Sequence, residues 1–376
     1  MVLFVHNRYR TAGGEERVLA DLLTLVRERL HEPAELLERD SASLARSTAA
    51  LGLLRGGVAP EEVAARVRSS GARVLHAHNV HPSLGWRSLA AARSAGARVV
   101  LHLHQFRLVC AIGVCYTRGE ECTRCHGRNT LPGVRLNCRG GRAEALAYGV
   151  ALALWQRRLV EQADAVIVPS RFALERLREL GAPLPSPGVH VLAPPLAVPD
   201  SPPRRAESGG YALVASRLSP EKGVDVAIDA CRMAGIPLVI AGDGPDRDAL
   251  AARGAGAAAG VRFAGRVDGE RLAELRAGAA IALVPSLAGE TFGLAAAEAA
   301  AAGVPVAASA VGALPELLDP DCLVPPGDAV ALAEAIGRLT GSSSAVERSR
   351  LRVRDLCSPE LVAARLGEIY GPAGAR

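Results

Sequence analysis

In the stretch PSLAGETFGLAAAEAAAAGVPVAAS two carboxylates, Glu290 and Glu298, stand eight residues apart. A strand ending at Pro285 is expected to pass through a loop holding Glu290 into a helix that starts near Phe292 and runs to about Ala302. On a continuous helix the two are separated by about 12 Å along the axis, too far for a glycosidase pair at roughly 5–9.5 Å. The spacing suits a ligand with hydroxyls at both ends and phosphates in the middle, as in a nucleotide diphosphate sugar. Backbone N–H groups of Phe292, Gly293 and Leu294 would lie free at the helix start, where the dipole favours an anion, and Gly293 would let it come close. The plain alternative is an alanine-rich helix with one Glu for the dipole and another on its surface.

Positive charge is at hand for such an anion. In ASRLSPEKGVDVAIDA, Arg217 closes a strand and Lys222 opens the next helix, so both can aim into one cleft. Lys222 is the single lysine among 44 basic residues, and a compact ammonium suits a diphosphate; a helix-start lysine with no partner is the alternative. Gly13-Gly14 before a helix could bring backbone amides to a phosphate or sugar, or be only a loop. Gly242-Asp243-Gly244-Pro245-Asp246-Arg247 is not a dinucleotide fingerprint, because Arg247 takes the place of the last glycine and a proline intervenes. His104 is expected at the end of a strand, where ligands of open α/β sheets bind. His76, His78 and His81 read as loop and acceptor-side structure, with His78 and Asn79 as acceptor contacts.

Five of the eight cysteines fall between Cys110 and Cys138. Cys122-x2-Cys125 has metal-knuckle spacing, bracketed by Cys110 and Cys138, and four thiolates there could close a structural zinc site. Cys115 and His126 are spare ligands. Reduced cysteines or a labile disulfide are the alternatives.

These residues need a frame. Short runs rich in Val, Leu and Ala alternate with amphipathic stretches, the pattern of βαβ units and a parallel sheet. Strands are expected at Val2–His6, Val74–His78, Val99–His104, Ala165–Val168 and His190–Ala193. After a proline-rich linker from Pro194 to Gly210, further strands are expected at Ala212–Ser216, Leu238–Ala241, Val261–Ala264, Ile281–Pro285 and Pro305–Ala308. Helices are expected between them, including Glu15–Leu30 and Phe172–Leu180. The reading is an α/β chain of two Rossmann-like, doubly wound domains facing across a cleft. With 49% hydrophobic but only 3% aromatic residues, the cores are built from Ala, Val and Leu. Few aromatics and a dispersed net charge of +5 argue against nucleic acid. The start MVLFVHNRYR does not read as a signal peptide, and the longest apolar run, Ala145 to Trp155, is short of a membrane span. A cytoplasmic protein is expected. AEALAYGVALALWQRR reads as a core helix or as a patch touching membrane-bound acceptors at the inner face.

With these motifs in hand, the chain resembles the glycosyltransferase family 4 group of GT-B enzymes. NRYRTAGGEERV, LHAHNVHPSLG, LHLHQFRLVC, VIVPSRFALERL, SRLSPEKG, VIAGDGP and ETFGLAAAEAAAAGVPVAAS carry the resemblance over almost the whole length, and Glu290 to Glu298 forms the E-x7-E motif. The cysteine segment resembles a subgroup with an insertion at about 105–142. The resemblance implies an acceptor-side domain over 1–200, a donor-binding domain over 201–357 and a last helix within 358–376 that packs back on the first. It further implies that Glu290 meets the sugar hydroxyls, Glu298 the ribose, Arg217 and Lys222 the diphosphate, and that His104 sits by the reacting centre. Gly13, Gly14, Gly242, Gly244, Arg266, Thr291, Phe292, Gly293 and Leu294 complete the donor contacts. The expected activity is retaining transfer of a sugar from a nucleotide diphosphate to a hydroxyl or amine of a glycan, lipid-linked or small-molecule acceptor. No cofactor is expected for catalysis, as the donor region has no Asp-x-Asp motif; any zinc is structural. Bacterial cell-envelope glycans or glycosylated metabolites are the expected setting. A non-catalytic sugar-nucleotide sensor and an epimerase acting on the donor alone are the rivals.

Overall fold

The computed structural model describes residues 1–9, 13–200, 210–256 and 260–372. The chain divides into two compact units: Met1–Cys115, Cys122–Pro195 and Pro359–Arg376 form the first, and Tyr116–Glu121 with Leu196–Ser358 form the second. The expected linker falls partly outside the described residues, which omit 201–209.

In the first unit the strands are β1 (Val2–Arg8), β2 (Ala34–Asp40), β3 (Val74–Ala77), β4 (Arg98–His102), β7 (Ala165–Val168) and β8 (Val189–Val191), with a small hairpin, β5 (Tyr116–Thr117) and β6 (Glu120–Glu121), assigned to the second unit. The six form one parallel sheet in the order β2-β1-β3-β4-β7-β8. Val2 to Val5 are fully buried, as expected of a central parallel strand covered on both faces. Strand β2 is absent from the sequence reading. Its residues, AELLERD, favour a helix, but at the sheet edge β1 supplies their partners residue for residue, and pairing overrides propensity. The helix Pro359–Tyr370 belongs to this unit: Arg98 Nε donates to the Ile369 carbonyl at 2.9 Å, and Arg73 Nη1 to those of Tyr370 and Gly371 at 3.1 and 2.9 Å.

The second unit holds β9 (Tyr211–Ala215), β10 (Leu238–Ala241), β11 (Val261–Gly265), β12 (Ala279–Val284), β13 (Val306–Ser309) and β14 (Leu323–Val324) in the order β11-β10-β9-β12-β13-β14, again all parallel. β14, only two residues long, is also missing from the sequence reading. The order reverses between β9 and β12 in this unit and between β1 and β3 in the first, and such reversals open a crevice beyond the strands' carboxyl ends. Helix Arg142–Glu161, which carries the apolar run, buries Tyr148, Leu152 and Leu159 but leaves Leu146 and Leu154 exposed. Among the described residues no helix is long and apolar enough to cross a membrane.

Candidate functional site

In the second unit the sequence-derived residues gather where β9 and β12 end. Lys222 lies in a single 3-10 turn, Pro220–Lys222, rather than at the start of the helix Val224–Ala234. Gly223 sits between them with φ +60, and a Cβ there would meet the Pro285 carbonyl at 2.1 Å. This close approach of two loops carries Lys222 to Glu290: Nζ donates to Oε1 at 2.6 Å, and the Ser286 hydroxyl donates to the same oxygen at 2.6 Å. Burial pushes the Glu290 carboxyl up, but the Lys222 charge and these hydrogen bonds outweigh it and leave it below the usual range. Arg217 pairs with Glu221, which also accepts from Ser219 Oγ at 2.7 Å. Burial raises Glu221, and Ser219 and Arg217 bring it down to a net lowered value. The two expected cations are therefore each matched by a carboxylate, and Glu221 had no signal in the sequence beyond its place between them. Half exposed at 52%, the Arg217 side chain has room to turn from Glu221 to an arriving phosphate.

The following helix runs over Leu294–Ala301, so the start expected at Phe292 lies two residues too early. Gly293 caps it without a side-chain hydrogen bond, and the N–H groups left without intrahelical acceptors are those of Leu294, Ala295 and Ala296. Glu298 is buried on this helix and bonded to Arg276 of the helix Gly269–Ala277, itself buried. Arg276 was missed because nothing in a polar, surface-like helix marks the one arginine that faces inward. Gly242 and Gly244 have a packing role: a Cβ on either would meet the carbonyl of Ser216 at 1.8 Å or of Leu218 at 2.2 Å. They let the loop after β10 lie against the loop that carries Arg217. Arg266 and Thr291 follow β11 and precede the Leu294 helix.

In the first unit β4 ends at His102, so His104 stands two residues beyond the strand that was expected to end with it. His104 Nε2 meets His78 Nδ1 at 2.8 Å and its ring stacks on His102 with centroids 4.2 Å apart. Burial first, and neighbouring His6 second, push His104 down to about 3 against the opposing Glu16, so the imidazole is neutral near pH 7. His76 is not in a loop but within β3, fully buried, and hydrogen-bonded to Tyr370 Oη at 2.7 Å. His81 is pushed down to about 3, by burial and then by Arg107 and Arg139. Asn79 donates to the Asn7 carbonyl at 2.6 Å and accepts from His81 N at 3.2 Å, which fixes the loop after β3. Gly13 caps the helix Gly14–Glu28, and its N–H donates to Glu16 at 2.7 Å. Glu15 accepts from Tyr9 Oη at 2.7 Å, and burial raises its carboxyl. An acidic pair thus covers the helix start expected to receive a phosphate.

The cysteines of the insertion are all unbridged. Cys122 N donates to the Cys115 carbonyl at 2.7 Å and closes the β5–β6 hairpin. Cys110 is drawn down to about 6 by a hydrogen bond from the Cys115 thiol, against burial. Burial, and the neighbouring Cys110, Cys138 and Cys122, push Cys125 up to about 11 against a hydrogen bond from Gly133. Sulfurs around a tetrahedral zinc stand about 3.8 Å apart, given Zn–S bonds of ~2.3 Å. Among the described residues, the set of three metal-capable side chains with donor atoms all within 4.8 Å of one another is His76, His78 and His102, and the insertion cysteines do not form such a set.

Two parallel-sheet Rossmann-like units, one with paired cations and carboxylates at its topological switch point, define a GT-B type of chain. Residues 7–195 match the family described as glycosyl transferase 4-like domain, and residues 210–342 match glycosyl transferases group 1. The chain belongs to the glycosyl transferase 4-like family. It is 43% identical over 115 residues to an MMP alpha-(1->4)-mannosyltransferase of Mycolicibacterium hassiacum, 28% of each chain. It is 35% identical over 137 residues to a phosphatidyl-myo-inositol mannosyltransferase of Mycobacterium leprae, 34% of this chain and 36% of that one. The chain therefore spans between about a quarter and about a third of the length of these two relatives, 28% and 36%. Anabaena HepE, solved in complex with UDP-glucose, has the same fold, with a TM-score of 0.66 at 18% identity and 98% of both chains covered.

Proposed function

We propose that the chain is a retaining glycosyltransferase that moves a sugar from a nucleotide diphosphate donor to an acceptor hydroxyl or amine. The observation that carries the reading is the Lys222–Glu290 contact of 2.6 Å beside the first-turn N–H groups of the Leu294–Ala301 helix, at the point where the second sheet reverses its order. A cation and helix N–H groups there suit a departing diphosphate, and a carboxylate held ionised suits sugar hydroxyls. The UDP-glucose complex of HepE and the mannosyltransferase names of the relatives support a hexose donor.

In this reading the protein works by electrostatics. As the glycosidic bond breaks, charge grows on the diphosphate; Lys222, and Arg217 once turned from Glu221, stabilise it, Glu290 orients the sugar and Glu298 the ribose. The leaving phosphate helps deprotonate the acceptor on the same face, and neutral His104 is a hydrogen-bonding partner at the reacting sugar rather than a charge. Gly13 becomes a donor contact only when Glu16 releases its N–H. No divalent ion is needed for the chemistry. Zinc at Cys110, Cys122, Cys125 and Cys138 is a structural element whose sulfurs draw together on binding, and about one sulfur-ligated zinc per chain is expected. A metal-free, fully active preparation overturns that part. Acceptors in cell-envelope glycan or glycosylated metabolite synthesis fit the phosphatidyl-myo-inositol relative. The test is a thermal-shift panel of nucleotide sugars, in which a donor at 100 times its Kd adds about 2.7 kcal/mol of stability. No shift with any nucleotide sugar contradicts the reading.

A further inference from the structure

Five of the nine histidines, His6, His76, His78, His102 and His104, come from three adjacent strands of the first sheet or the residues just after them. Residues two apart on a strand share a face, which brings these rings together. His76, His78 and His102 are 0%, 2% and 2% exposed, and each offers a ring nitrogen within 4.8 Å of those of the other two. The outer nitrogens of His76 and His78 are already oriented. His76 Nδ1 is held by Tyr370 Oη at 2.7 Å, and His78 Nδ1 by His104 Nε2 at 2.8 Å. Where His76 Nε2 meets His102 Nδ1, at 3.3 Å, the two rings already stand at the separation of nitrogens sharing one tetrahedral ion at ~2.0–2.1 Å. His78 Nε2, the nitrogen left to that ring for an ion once Nδ1 is bonded to His104, is buried and has no hydrogen-bond partner. A buried, unpartnered ring nitrogen is rare without a hidden occupant.

We propose that His76, His78 and His102 form a three-imidazole site for a divalent transition metal, zinc by its preference for nitrogen, separate from the cysteine cluster. For His76 and His78 the arrangement is that of metal-binding histidines elsewhere, one nitrogen for the ion and the other fixed by an outer partner. Tyr370 and His104 are the outer partners here. The ion ties β3 to β4 at the ends from which the Asn79 loop and His104 emerge, and through Tyr370 it ties in the helix Pro359–Tyr370. It takes no part in bond making, and the site stands whether or not the transferase reading holds.

Zinc X-ray absorption on the full chain, stripped with a chelator and reloaded with zinc alone, tests the site. The expected spectrum has a nitrogen shell at ~2.0–2.1 Å with the multiple scattering of about three imidazoles, distinct from any sulfur shell at ~2.3 Å. His102→Asn and His78→Asn should each abolish that imidazole component and leave any sulfur component in place. A wild-type spectrum with sulfur only, or with a single imidazole such as His126 could add to a cysteine site, overturns the proposal, as does the absence of bound zinc. An imidazole component unchanged in a folded variant overturns it equally. If neither variant folds, the wild-type imidazole number alone decides.

Discussion

The two units share a parallel-sheet plan but differ in the polar groups they gather near their strand ends. The second matches charge with charge: Lys222 with Glu290, Arg217 with Glu221, Arg276 with Glu298. The first buries histidines that burial and one another's proximity keep neutral. Exchangeable ion pairs suit a site that must accept and release an anion, because an arriving phosphate can replace a carboxylate as the partner of a cation. A neutral ladder suits a scaffold that holds loops in place. The contrast also gives the units different responses to acid.

The largest expected effect is therefore in pH. His76, His78, His81, His102 and His104 all have folded values pushed below the ordinary imidazole range, first by burial. Below ~6.5 the unfolded chain takes up protons that the folded chain refuses, so stability falls with pH, by up to about 1.4 kcal/mol per pH unit for each ring. In the second unit Glu290 and Glu221 are lowered, so their contribution is complete above the unfolded carboxylate value of ~4.3 and is lost only as pH falls further. Hydrogen exchange in chelator should show first-unit peptides losing protection between pH 6.5 and 4.5 while second-unit peptides keep theirs. The reverse order breaks the comparison.

Next in size is Arg276→Leu, which removes the cation paired with the buried Glu298 carboxylate. A loss of about 3–5 kcal/mol is expected by urea denaturation. A loss under about 1 kcal/mol would mean that the pair is solvated and that the second unit does not rest on matched charge.

Lys222→Ala should lower kcat by ~10²–10³ with less effect on donor affinity, since a fixed cation is worth most when the leaving charge is largest. Lys222→Arg should recover part of the rate, because a planar fork does not fit a point-charge site. Steady-state rates separate the outcomes, and full recovery by Arg would mean that only local potential matters. The smallest effect is expected from Glu298→Gln. A ribose contact made equally in ground and transition state should raise the donor KM several-fold with kcat nearly kept. An unchanged KM would mean that Glu298 makes no contact with the donor.

Most of the fold could be read from the chain because central parallel strands are continuous apolar runs, as in VLFV or AVIV. The edge strand β2 could not, since its half-exposed AELLERD pattern has helix-forming residues that only pairing with β1 turns into a strand. Glu290, Lys222 and Arg217 were legible from residue type and loop position. The partners of Arg217 and Glu298 were not, because Glu221 and the inward-facing Arg276 look like any solvated charged residue until the loops close. The histidine ladder was hidden for a different reason: His76 and His78 are apart from His102 and His104 in sequence, and only the β3–β4 register joins them.

The central claim is that the second unit holds a nucleotide diphosphate sugar for transfer, and release of nucleoside diphosphate from a panel of such donors without acceptor tests it most directly. Slow release from at least one donor, lost by a factor of ~10²–10³ in Lys222→Ala, is the expected result. Tight donor binding with no release contradicts it in favour of a sensor, a sugar isomer formed on the intact donor contradicts it in favour of an epimerase, and release unchanged in Lys222→Ala removes Lys222 from the diphosphate.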